Sequence, residues 1–128
     1  TYSESEPNFW PAGQINDITV SPGDTALCIT GSALCDAADY DDTDWFRFQF
    51  PAGATEVLAS LIWSGGVNFD ASLWDADPLT GPTALFGGSS SVSPETGSSP
   101  VTSGIDHYGF VGCDGAVSTV NYEWILTW

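Results

Sequence analysis

Carboxylates are the reactive groups this chain has in quantity, and they are unevenly placed. "DYDDTD", Asp39–Asp44, holds four aspartates in six residues, and "SESEPN" near the N-terminus alternates Glu4, Glu6 and Asn8. In an extended segment residues two apart project to the same side, so these last three oxygen-bearing side chains share a face. Like charges packed this closely oppose folding unless a cation sits among them or water screens them. Oxygen donors in loops suit calcium, which takes six to eight such ligands in a flexible shell. "DYDDTD" is not an EF-hand loop, because position six counted from Asp39 is Asp44 and not the glycine that loop needs.

Other chemistries have little to draw on. The chain has one His, one Arg, no Lys and no G-x-S-x-G elbow, so nucleophilic catalysis would rest on His107 alone. That residue lies in "DHYGF", which reads as the start of a strand and makes a core-edge or surface histidine the expected role. The thiols and His107 form no zinc-like spacing. Seventeen acids make some glycosidase-like carboxylate pair inevitable, so such a pair carries no specificity. No enzymatic activity is expected.

The same acids set the physical character of the molecule. Against Arg47 they leave a net charge of −16, which repels nucleic acid and anionic membrane surfaces. The charge fits metal cations as ligands, or a saline exterior in which many carboxylates maintain solubility. With 128 residues, 42% hydrophobic and including six Trp, seven Phe and four Tyr, one domain spanning residues 1–128 with a real core is expected. No run of about 18 apolar residues suggests a membrane span. The absence of Met is what a processed mature chain or an excised module would show.

The elements that must position these groups read as strands. "WFRFQF" puts Phe46, Phe48 and Phe50 on one face and Trp45, Arg47 and Gln49 on the other. "TEVLASLIW" opposes Val57, Ala59, Leu61 and Trp63 to Leu58, Ser60 and Ile62. "NFDASLW" opposes Phe69, Ala71 and Leu73 to Asp70, Ser72 and Trp74, and "NYEWILTW" aligns Tyr122, Trp124, Leu126 and Trp128. Turn formers such as Pro51-Ala52-Gly53, Ser64-Gly65-Gly66 and Asp77-Pro78 separate the runs, as in an antiparallel sandwich. The Ser/Gly-rich stretch 87–104 reads as a long surface loop and 1–17 as an acidic N-terminal segment, with at most one helical turn near Ser32–Ala38. By this alternation Trp45 and Trp74 face away from the core, whereas Trp63, Trp124 and Trp128 face into it. Cys28 and Cys35 are close enough to staple a loop and are the expected disulfide. Cys35 with Cys113 is a rival pairing, and three reduced thiols a third arrangement.

In order along the chain, "E-x-E-P-N", an Ala-Gly-Gln-Ile stretch, "DWFRFQFPAG" and "FDASLWDAD" resemble the bacterial pre-peptidase C-terminal domain family over about Glu4 to Trp128. The resemblance implies an all-β fold, an antiparallel β-sandwich of jelly-roll type, in a secreted, extracellular protein. It implies attachment to the catalytic domain of a parent enzyme, since such domains accompany secreted proteases and other hydrolases and include collagen-binding modules. It also implies one calcium ion, whose ligands carried onto this chain are Glu4, Glu6, Asn8, Asp41 and Asp44, with Asp39 or Asp42 as alternates. Phe9 stands where many members carry a second Asn, which would remove one ligand. The "CITGSALC" segment and the Ser/Gly stretch are not features of the family's core.

Two functions from different classes follow. One is a module that binds an insoluble extracellular polymer, protein fibre or neutral polysaccharide, through Trp74 and Trp45. The other is a structural accessory domain that supports folding, secretion or stability of its parent and binds calcium alone.

Overall fold

The computed structural model of the chain describes residues 1–3, 15–35, 43–87, 91–115 and 118–128. Among the described residues ten strands are present: β1 (Tyr2–Ser3), β2 (Asn16–Asp17), β3 (Ala26–Cys35), β4 (Thr43–Gln49), β5 (Glu56–Trp63), β6 (Asn68–Trp74), β7 (Phe86–Gly87), β8 (Glu95–Pro100), β9 (Asp106–Asp114) and β10 (Ser118–Thr127). They form two five-stranded sheets. Sheet A has the order β1-β3-β10-β5-β8 and sheet B the order β2-β4-β9-β6-β7. Every connection between successive long strands from β3 to β10 changes sheet, and only the β6–β7 hairpin stays within one. That winding is the jelly roll. The two short N-terminal strands add in parallel, β1 to β3 and β2 to β4.

Alternation is what drives the four legible strands into place. Phe46 and Phe48 on β4, Val57, Ala59, Leu61 and Trp63 on β5, Phe69, Ala71 and Leu73 on β6, and Tyr122, Trp124 and Leu126 on β10 are all buried between the sheets. Each large ring or branched chain removed from water contributes roughly 1.5–3 kcal/mol, so reversing the face of any one strand would forfeit several such contributions at once. Trp128, just past β10, stands edge-on to Phe50 at 5.2 Å, as its inward reading requires. The Pro51–Ala54 turn closes with Ala54 N–H donating to Pro51 O at 3.1 Å, and Gly53 adopts the positive φ of 97° that a side chain disfavours.

Three expectations need correction. The stretch 87–104 contains the edge strand β8, whose covered side is made of Glu95, Gly97 and Ser99 in place of aliphatic chains. Glu95 is buried and accepts a hydrogen bond from the Ala71 amide at 3.2 Å. Gly97 lies under the Phe86 ring, where a Cβ would fall 2.6 Å from the ring edge. An edge strand packed in this way has no hydrophobic alternation to read. Second, Ser32–Cys35 belong to β3 and form no helical turn; residues 36–38 lie outside the described residues.

Third, the disulfide joins Cys35 to Cys113, across 78 residues, and Cys28 is a free thiol. Cys28 and Cys35 sit seven positions apart on one continuous strand, so their side chains point to opposite faces and their backbones are separated by roughly 23 Å. Cys35 points inward at the end of β3 and meets Cys113 near the end of β9, which bolts sheet A to sheet B.

Candidate functional site

The outer face of sheet B gathers the outward aromatics. Strand register places Trp45 on β4 beside Phe110 on β9 and Phe110 beside Ser72 on β6. One level along, Asp17 on β2, Arg47 on β4, Tyr108 on β9 and Trp74 on β6 form a row across four strands. Trp45 and Trp74 start two strands apart, lean over β9 and stack with ring centroids 5.6 Å apart at 28°. Phe110 meets Trp45 edge-on at 5.1 Å. All three rings are partly exposed. The outward placement expected for Trp45 and Trp74 is therefore what the structure has. Their mutual contact was not foreseen, because it depends on which strand lies between them. Phe110 and Tyr108 were missed as members of this face, although the alternation of "DHYGF" sets them opposite His107.

Beside the aromatic ridge runs a strip of planar polar groups. Arg47 donates from Nε to Asp17 Oδ1 at 2.6 Å and from Nη2 to Asp17 Oδ2 at 2.9 Å, a two-pronged pair. The hydrogen bond to Asp17 holds the guanidinium pKa above its ordinary value, and Tyr108 adds a further hydrogen bond. Gln49 Nε2 donates to Asp106 Oδ1 at 2.9 Å. A cleft of about 280 Å³ opens at this end, lined by Arg47, Gln49, Asp106, Asp17, Ile18 and Val20 among others. The outer face of sheet A is different in kind. It shows Leu58, Ile62 and Leu34 among hydroxyl side chains, and among the described residues its outward positions carry no aromatic ring.

Of the acidic residues carried over as calcium ligands, Asp44 is placed. It is the second residue of β4, with its side chain inward and 0% exposed, accepting the Tyr122 hydroxyl hydrogen bond at 2.6 Å from the facing sheet. Glu4, Glu6, Asn8 and Asp41, with the alternates Asp39 and Asp42, lie outside the described residues. The strands bracketing 4–14 are anchored nearby: Asn16 pairs with Phe46, two residues along β4 from Asp44, and accepts from the Tyr2 hydroxyl at 2.6 Å. Among the described residues no cluster of three or more His, Cys, Asp or Glu side chains is arranged to hold a metal.

His107 and Cys28 both sit in partly or fully shielded surroundings. His107 is 0% exposed, edge-on to Phe50 at 4.7 Å and stacked near Phe48, with Nδ1 3.1 Å from Ile105 O. Burial pushes its pKa below the ordinary histidine value. Cys28 is half-buried on the outer side of β3, where burial and the neighbouring Glu123 carboxylate raise the thiol pKa and suppress the nucleophilic thiolate.

No protein-family model matches the sequence, and no curated protein matches it. Solved structures do. The pre-peptidase C-terminal domain of a collagenase from Bacillus anthracis superposes with a TM-score of 0.65 over 97% of this chain and 100% of that one, at 17% identity. A periplasmic inhibitor of g-type lysozyme from Aeromonas hydrophila superposes with a TM-score of 0.52 over 88% of this chain and 96% of that one, at 14% identity. At these identities the likeness is one of fold. The resemblance read from "DWFRFQFPAG" and its companion motifs is thus met by the three-dimensional architecture: the chain is a jelly-roll β-sandwich with the fold of the pre-peptidase C-terminal domain.

Proposed function

We propose that this chain is a non-catalytic accessory module of a secreted bacterial hydrolase, and that it holds its parent enzyme on an insoluble extracellular polymer through the outer face of sheet B. The observation carrying this reading is the Trp45–Trp74–Phe110 cluster, three partly exposed rings on one sheet face. Exposed aromatics grouped in this way mark interaction surfaces in soluble proteins. The Cys35–Cys113 disulfide supports an oxidising, extracellular setting. The collagenase domain that shares the fold supports attachment to an enzyme.

Calcium is the proposed cofactor, and Asp44 is the ligand whose surroundings fit it. A carboxylate removed from water requires compensating charge or hydrogen bonds. Asp44 accepts one such bond from the Tyr122 hydroxyl at Oδ2, and it follows directly in sequence on the acidic stretch that holds Asp39, Asp41 and Asp42. Glu4, Glu6, Asn8 and Asp41 would complete the shell with Asp44. When bound, the ion would neutralise the acidic segments and fix the N-terminal region to β4.

A second reading, a purely structural accessory domain, is favoured by one feature. Trp45 and Trp74 each cover a face of the other, so the cluster is partly satisfied by itself. Retention of the domain on insoluble protein and polysaccharide particles separates the two. The binding reading expects retention that Trp74→Ala weakens while stability changes by no more than about 1 kcal/mol. The absence of retention across a broad panel would leave the structural reading.

A further inference from the structure

Resting on that polymer-binding reading, we infer that the ligand is a neutral polysaccharide. A stretch of about three sugar units crosses sheet B from Trp74 over Tyr108 and Arg47 into the cleft beside Gln49 and Asp106. The row Trp74, Tyr108, Arg47, Asp17 crosses four adjacent strands. Three strand spacings measure roughly 14 Å, the length of about three pyranose units. An aromatic ridge of Trp74 and Trp45 stands at one end of this track, where the C–H face of a sugar ring packs against an indole. Along the rest lie planar side chains already fixed by partners: Arg47 gripped by Asp17, and Gln49 held by Asp106. Orienting such groups before the ligand arrives removes part of the entropy cost of binding, and planar donors and acceptors suit the adjacent hydroxyls of a sugar. The cleft at the far end, about 280 Å³, takes a single ring.

Charge selects neutral over acidic glycans. The chain carries −16, and Arg47, its single Lys or Arg side chain, is neutralised by Asp17, so uronate or sulfate groups would meet repulsion without a free cation to receive them. The geometry also favours sugar over a peptide fibre. Peptides are captured by strand addition at an open edge or in an apolar groove, whereas here the rings stand on a sheet face and the outer edge of β4 is taken by β2.

Titration calorimetry with soluble oligomers of cellulose, chitin and starch, from disaccharide to hexasaccharide, tests the inference alongside retention on the insoluble polymers and on collagen fibres. In at least one series the affinity should rise up to the trisaccharide and then level off, with little dependence on salt. Trp74→Ala should weaken binding about tenfold or more, the loss of one stacked ring. Asp106→Ala, an exposed change that spares folding, should weaken it as well by releasing Gln49. Leu58→Ser on the opposite face should leave affinity unchanged. Three outcomes overturn the inference while sparing the accessory-module reading: retention on an insoluble polysaccharide with no oligomer binding, affinity independent of oligomer length, or retention on collagen alone. No binding to any polymer overturns the polymer-binding reading together with the inference and leaves the structural accessory domain.

Discussion

Breaking the Cys35–Cys113 bond should cost this domain a large part of its stability. The bond closes a loop spanning 78 positions, and in the chain-entropy treatment a loop of that length restricts the unfolded state by about 4.5 kcal/mol. A staple between Cys28 and Cys35 would have closed a short loop and been worth only about 2.4 kcal/mol on the same basis. The perturbation is the double substitution Cys35→Ala/Cys113→Ala. Alanine is chosen because both sulfurs are buried and a hydroxyl in their place would need a hydrogen-bond partner. With an unfolding entropy of about 0.27 kcal/mol/K for a domain of this size, the melting temperature should fall by about 17 °C. Thermal unfolding followed by circular dichroism, without reductant, provides the measurement, and Cys28→Ser is the control expected to lie close to the unaltered protein. A fall of less than about 5 °C in the double variant would refute the long-loop reasoning. So would an equal fall in the control.

Other consequences follow from particular contacts. His107 is buried with Nε2 meeting no hydrogen-bond partner among the described residues, and burial lowers its pKa, so between that lowered value and 6.5 the unfolded chain binds more protons than the folded one. Stability should therefore decline as pH falls below about 6.5, and His107→Phe should flatten that part of a melting profile recorded against pH. Gly109→Ala would set a Cβ 2.6 Å from the buried Trp124 ring, an overpacking that should cost about 1–3 kcal/mol in urea unfolding, whereas Gly66→Ala meets nothing within 4 Å and should be near neutral. Calcium at about 100 times its dissociation constant should add roughly 2.7 kcal/mol and raise the melting temperature by about 10 °C. Asp44→Asn, which keeps an oxygen for the Tyr122 hydroxyl but removes the charge, should shrink that shift; an undiminished shift would remove Asp44 from the ligand set.

How far the sequence reveals this molecule depends on where each strand sits. β4, β5, β6 and β10 bury one aliphatic or aromatic side and expose the other, so alternation alone finds them and assigns their faces. β8 escapes because, at a sheet edge, its covered side is built from Glu95, Gly97 and Ser99. The error over Cys28 follows from missing β3 as one uninterrupted strand, since the parity of its residues forbids the pairing once the strand is seen. Trp45 and Trp74 are legible as outward residues one strand at a time. Their stacking, and the joining of Tyr108, Arg47 and Asp17 into one row, depend on β9 lying between β4 and β6, which is a property of the jelly-roll winding and not of any local segment. Asp44 looks like one more loop carboxylate in sequence, and only the inward register of β4 shows that it is buried.

The central claim, that the aromatic face of sheet B anchors the domain to an insoluble neutral polymer, is tested most directly by a depletion isotherm. Wild type and Trp45→Ala/Trp74→Ala would be titrated against the polymer that retains the domain, with both proteins first shown to unfold cooperatively. Saturable binding by the wild type, weakened at least about tenfold in the double variant, is the predicted result. Equal binding by the two folded proteins would contradict the account, because the polymer would then be held by some other part of the surface.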